Sequence, residues 1–164
     1  MVVHPTDEEF RKFARLIEKI EVALLTTVDR EGHLHTRPLQ TLGIGAGRSL
    51  WFFTDLRSEK AFELAHDVRL GLGYADPRGR SYVALGGTGR LLREPQRARE
   101  LWTLEQLAYY PNGPEDEHLG LLKVQVERAE YWCPPGRMAH LAAALRARFT
   151  GNPAGIIGEN HRMP

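Results

Sequence analysis

The stretch Ser81–Leu92, SYVALGGTGRLL, constrains this chain more than any other. It is β-rich, long for a strand, and interrupted by glycines. Glycine weakens a flat strand and tends to be kept where a sheet bends sharply, as at the corner of a barrel. Such a strand needs short partners that curl with it, and the chain supplies them. Val22–Asp29 (VALLTTVD) is followed by the turn signal Asp29-Arg30-Glu31-Gly32 and a return run, His33–Leu42. Pro38 within that run marks an edge or a bulge. Gly43–Gly47 reads as a loop, Ser49–Thr54 as a short aromatic strand, and Arg69–Ala75 as a strand closed by Asp76-Pro77-Arg78-Gly79. Leu119–Val126 and Ala129–Trp132 read as the last two strands.

Helical spacing appears between these runs. Thr6 and Glu9 have the form of a capping box ahead of Phe10, Phe13, Ala14, Ile17 and Ile20. Ser58–His66 places Ala61, Leu64 and Ala65 on one side. Glu94-Pro95 opens a third helix expected to run to Tyr110, with proline at its first position. Arg137–Phe149 is an alanine-rich fourth. About six strands with helices between them predict a mainly β, α+β fold: a small antiparallel barrel with helices outside. The expected organisation is one domain over residues 1–151 and a loose tail over 152–164.

Several function classes are disfavoured. Lys+Arg is 22 against Asp+Glu 21, a net charge of +1 with no basic block to follow a phosphate backbone, so no nucleic-acid partner is expected. No run of 18 apolar residues is present, so no membrane span is expected. The N-terminal MVVHPTDEEF lacks a signal-peptide pattern, and the single cysteine, Cys133, cannot form an internal disulfide. The expected location is therefore the cytoplasm. There is no GxSxG, and Cys133 in YWCPP has no evident base, so it reads as a small packed residue. GIGAG has Arg48 where a dinucleotide motif needs glycine, and a strand follows it, so it reads as a hairpin turn. His33 and His35 share a strand face that a metal could use. No further ligand is signposted, and no metal is assigned.

One constellation carries chemistry. Arg37 to Thr41 lie on one strand, Trp51 to Thr54 on the next, and Ser58 and Lys60 open a helix. If the two strands pair, Arg37 and Thr54 come close. A helix start, a guanidinium and an ammonium together make a phosphate pocket. Phe52 and Phe53 point to opposite faces, and backbone groups beside them can hydrogen-bond a flat heterocycle. The alternative is structural: Ser58 only caps its helix, the aromatics fill the barrel, and Arg37 pairs with Glu59 or Asp55.

The ordered set ALLTTVDREGHLHTRPL, WFFTD-x-x-S-x-K, YADP, YVALGGTGRL, RARELW and LLKVQVERAEYWCPPG resembles the general stress protein branch of the pyridoxamine phosphate oxidase-like split barrels. The resemblance implies a six-stranded antiparallel split β-barrel that forms a homodimer, with FMN, or alternatively FAD, in clefts at the interface. It implies phosphate binding by Arg37, Ser58 and Lys60. Pro38, Leu39, Gln40 and Thr41 would run along the flavin, backbone groups of Phe52, Phe53 and Thr54 would hold the ring, and Trp132 would approach it across the dimer.

Two departures stand out. Cys133 replaces the aspartate usual after Tyr-Trp, and the arginine- and tryptophan-containing C-terminal motif of the true oxidases is missing, which argues against pyridoxamine phosphate oxidation. The function expected is a stress-related, FMN-dependent oxidoreductase linked to NAD(P)H, with no catalytic residue named. The alternative is a flavin carrier or sensor without turnover. A third option changes the ligand to deazaflavin or haem, the latter with His33 or His140 as axial ligand.

Overall fold

Strand pairing organises this computed structural model, which describes residues 7–133 and 159–163. Helix α1 (Asp7–Ile20) leads into β1 (Val22–Val28), β2 (Leu34–Gln40), β3 (Gly43–Gly45) and β4 (Ser49–Asp55). Then come α2 (Glu59–His66), β5 (Arg69–Asp76), β6 (Ser81–Leu92), α3 (Pro95–Leu101), β7 (Leu119–Cys133) and β8 (Glu159–Met163). The sheet order is β2-β1-β5-β6-β7-β4-β3, with β8 added on β7 and every pair antiparallel. The six long strands cover the seven runs read as strands, the last two of which merge into β7, and β3 and β8 are short additions. Strands β2 and β4 approach one another without a ladder. The barrel is split there, and the predicted pairing of these two strands does not occur.

The core explains the closure. Alternate residues of β1, β5 and β6 point inward, and Phe13 and Ile17 of α1 join the same core with no exposed surface. Full burial of each such side chain contributes about 1.5–3 kcal/mol. Strand β6 carries two of its glycines at an irregularity in its ladder. Its register with β7 shifts between Gly86 and Gly87, where Glu127 bulges out of the ladder. A Cβ on Gly87 would lie 2.1 Å from the Gln125 carbonyl oxygen, so only glycine fits. The bulge is why one continuous β7 looks like two strands in sequence.

GIGAG forms the β3–β4 hairpin, with Gly47 and Arg48 both at left-handed φ. Pro38 lies on β2, which is an edge strand as predicted. Three expectations need correcting. The third helix stops at Leu101, because Trp102 and Thr103 turn extended and Trp102 packs on Phe53; a 3-10 turn, Leu104–Ala108, follows. In α2, Ala65 is exposed and Glu63 is buried beside Ala61 and Leu64. Within the segment read as a loose tail, Glu159–Met163 joins the sheet as β8. The Arg137–Phe149 helix, His140 and the side chain of Cys133 lie outside the described residues.

Candidate functional site

Strand β4 is apolar on both faces because both are covered. Leu50 and Phe52 enter the main core, while Trp51 and Phe53 enter a second cluster with Ala98, Leu119 and Leu121. The Phe53 ring stands 5.6 Å from Trp102 and 6.3 Å from Tyr110, in tilted and edge-on contacts. Burial, with the nearby charges of Asp55 and Asp116, pushes the Tyr110 hydroxyl up to about 12. The 3-10 turn is tied back to β2 where buried Gln106 donates Nε2–H to Gln40 Oε1 at 3.2 Å.

A cleft of about 580 Å³ opens between these parts. Pro38, Leu39 and Gln40 of β2 form one wall, and Phe53 and Tyr110 the other. That volume lies in the range of about 300–1,000 Å³ usual for small-molecule sites. Strand β3 pairs with β4 only as far as Trp51. Past that point no strand covers this edge of β4 among the described residues. A hollow of about 50 Å³ between α3 and Asp116 is too small for a heterocycle.

One end of the cleft is cationic. Lys60 lines it, and its pKa is lowered first by burial and then by the positive charge of Arg37. Asp55 and Glu63 only partly offset this. Two cations are thus held near each other in a partly desolvated place, the condition an anion relieves. Behind them lies a carboxylate centre. Glu63 is 5% exposed. It accepts hydrogen bonds from Thr27, from Arg37 at 3.0 Å and at its other oxygen from His35 Nδ1 at 2.6 Å. Arg37 also donates to Thr27. Burial pushes the Glu63 pKa up, but the bonds from Thr27, His35 and Arg37 more than reverse this and leave it lowered.

The predicted residues therefore divide. Pro38, Leu39, Gln40, Phe53 and Lys60 gather round one cleft, with Arg37 behind Lys60. Arg37 pairs with neither Glu59 nor Asp55; its partner is Glu63, and Asp55 is held by Arg57 at 3.0 Å. Ser58 sits at the α2 N-cap, but its hydroxyl donates to the Asp55 carbonyl at 2.5 Å instead of capping the helix. Phe52 fills the core, and Thr54 is buried opposite Gly120 of β7. Thr41 faces a second hollow of about 360 Å³ and hydrogen-bonds Tyr74 at 2.8 Å. Trp132 pairs with Tyr82 and Asn160 at the other end of β7 and does not line this chain's cleft. His33 and His35 both lie against Asp29, at 3.1 Å and 3.7 Å, and His35 Nδ1 also meets Glu63 at 2.6 Å.

Sequence reasoning missed Val22, Leu42, Gln106, Tyr109 and Tyr110 in the cleft. The tyrosine pair before Pro111 was the available signal, hidden by reading the segment as a continuous helix. It also missed Glu63, whose three partners sit on distant strands.

The family model described as "Pyridoxamine 5'-phosphate oxidase like" matches residues 8–154. Protein bli-3 of Neurospora crassa is 21% identical over 166 residues, covering 93% of this chain and 78% of that protein. A solved protein from Clostridium acetobutylicum, related to general stress protein 26, superposes with a TM-score of 0.68 at 22% identity. That match covers 78% of this chain and 91% of the other. The general stress FMN/FAD binding protein of Xanthomonas citri gives a TM-score of 0.66 at 24% identity, covering 78% and 90%.

Proposed function

The chain belongs to the pyridoxamine 5'-phosphate oxidase-like family, and on that premise we propose that it is a flavin-binding oxidoreductase that holds FMN in the β2–β4 cleft. The observation that carries this is the cleft's polarity: an aromatic and amide-lined body with Lys60 and Arg37 at one end. Lys60 would contact the phosphate as a point charge and Arg37 would add field from behind. Phe53 would stack on or edge the ring, and the uncovered edge of β4 would offer backbone groups to its polar rim. Pro38 to Gln40 would run along the opposite side. When bound, the flavin would supply the electron transfer, with NAD(P)H as the proposed donor; the chain's part is orientation and exclusion of water.

The same reading makes the protein a homodimer. Val22 and Leu24 are about half exposed and Tyr109 is 76% exposed, and Val22 and Tyr109 line the cleft. An apolar rim beside a ligand cleft fits a second copy related by a two-fold axis. Trp132, which lies away from its own chain's cleft, would enter the partner's site across that interface. We also assign the protein to the cytoplasm, on its single cysteine. No helix among the described residues is long and apolar enough to cross a membrane.

Protein purified from a flavin-replete host should be yellow, with an FMN absorption spectrum and release of FMN on denaturation. A colourless protein that binds no flavin on titration would end the proposal. Release of FAD in place of FMN would correct the cofactor. Reduction of the bound flavin by NADPH or NADH with steady turnover supports an enzyme. Binding without reduction supports a carrier or sensor.

A further inference from the structure

We propose that Glu63 positions Arg37, and that His35, bonded to the same carboxylate, makes the cleft's affinity for a phosphorylated ligand proton-linked. This rests on the flavin reading above and adds regulation to it. The geometry is a chain of three side chains. Arg37 meets one oxygen of Glu63 at 3.0 Å, and His35 Nδ1 meets the other at 2.6 Å. Thr27 donates to the same oxygen as Arg37 and also accepts from Arg37, so the guanidinium is oriented from two sides. A buried carboxylate needs partners, and its removal would let the guanidinium swing to solvent.

The charge count sets the direction. Arg37 and Lys60 carry two positive charges, and Glu63 cancels one. His35 donates Nδ1–H to Glu63, so the next proton from solvent goes to Nε2. With neutral His35 the group offers an incoming anion a net charge of one; with His35 charged it offers two. Imidazole is the side chain whose charge changes near neutrality. The other groups facing His35 are Glu59 of α2 at 3.9 Å, Asp29 just after β1 at 3.7 Å, and Arg30 and Glu31 across a shared hollow. Arg37 faces Thr27, Glu63 and Lys60. No ion pair joins Glu59 or Asp29 to Arg37 among the described residues, so Glu63 is the link between imidazole and guanidinium.

The test is fluorescence titration of FMN and of riboflavin, which lacks the phosphate, at about pH 8 and about pH 5.5. Wild type, His35→Gln and Glu63→Gln are compared. Protonation of the FMN phosphate is common to all three and cancels in ratios. The FMN affinity of wild type relative to His35→Gln should rise about fivefold or more from high to low pH. The riboflavin ratio should stay level, and the FMN ratio of Glu63→Gln to His35→Gln should rise less than the wild-type ratio, because Arg37 has lost the carboxylate that seats it. A level FMN ratio would overturn the proposal, as would riboflavin moving in step with FMN, which marks a merely structural role. If neither ligand binds any variant, the flavin reading falls and takes this one with it. If FMN binds with a level ratio, only this one falls.

Discussion

The two strands that flank the cleft are opposites. Strand β4 is buried on both faces for six of its seven residues, whereas β2 alternates exposed and half-buried positions along its whole length. Burial fixes β4: Phe52 has no exposed surface and Phe53 is locked by Trp102 and Tyr110. Polar pairs fix β2: Arg37 and His35 on Glu63, Thr36 on Thr26, and Gln40 on Gln106. A ligand between them would meet one rigid wall and one wall whose position depends on charge.

The sharpest way to break this contrast is to truncate one side chain on each wall. Phe52→Ala should cost about 3–5 kcal/mol, because it removes a large ring from a packed core and leaves a cavity. Leu34→Ala at the 70% exposed start of β2 should stay within about 0.5 kcal/mol. Urea unfolding of both variants measures the difference. Equal losses would mean that β2 is packed against something this chain does not show. Next in size is Lys60→Ala. Loss of one charged contact should weaken FMN binding by about 1.5–3 kcal/mol and leave riboflavin binding nearly unchanged. Titration with both ligands checks this, and equal weakening would move the phosphate away from Lys60.

The difference between the walls also explains what could be read in the sequence. Strand β4 was legible because SLWFFT is an apolar run that few other structures can accommodate, and β6 because two of its glycines sit at an irregularity in its ladder. Five of the eleven predicted site residues, Pro38, Leu39, Gln40, Phe53 and Lys60, gather at the cleft, since each belongs to an element placed correctly. The partner of Arg37 was not legible. Glu63 is a glutamate on the buried side of a helix, which local pattern assigns to solvent. Only tertiary contact with Thr27, His35 and Arg37 reverses that. The break after Leu101 was hidden for a similar reason, because Trp102 leaves the helix to reach Phe53, 49 positions earlier in the chain.

A smaller effect tests the charge pairs on β2 by pH. The folded pKa of Glu63 lies below its ordinary 4.5, since the bonds from Thr27, His35 and Arg37 outweigh burial. Folding therefore favours the ionised carboxylate. Its contribution is full above the unfolded value and is lost as pH falls through the folded one. The stability gap between wild type and Glu63→Gln should be largest near neutrality and shrink as pH falls below 4.5. Urea unfolding across that range decides, and a gap that widens on acidification would show that burial dominates.

The smallest expected change comes from Pro38→Ala. Pro38 lies opposite Leu24 on an edge strand, where the missing N–H costs the ladder nothing that other edge residues supply. Its ring restricts the unfolded chain, so replacing it should lower stability by about 0.4–1 kcal/mol through the unfolded state alone. Folded contacts along β2 should survive, and the denaturant slope should stay constant while the midpoint falls. A second consequence follows from the edge. Alanine restores an N–H on the side of β2 away from β1, where another chain can pair. Light scattering should therefore show more self-association in Pro38→Ala than in Leu34→Ala at equal concentration. A loss well above about 1 kcal/mol would mean that Pro38 packs as a structural wedge, and the edge strand would then be as fixed as β4.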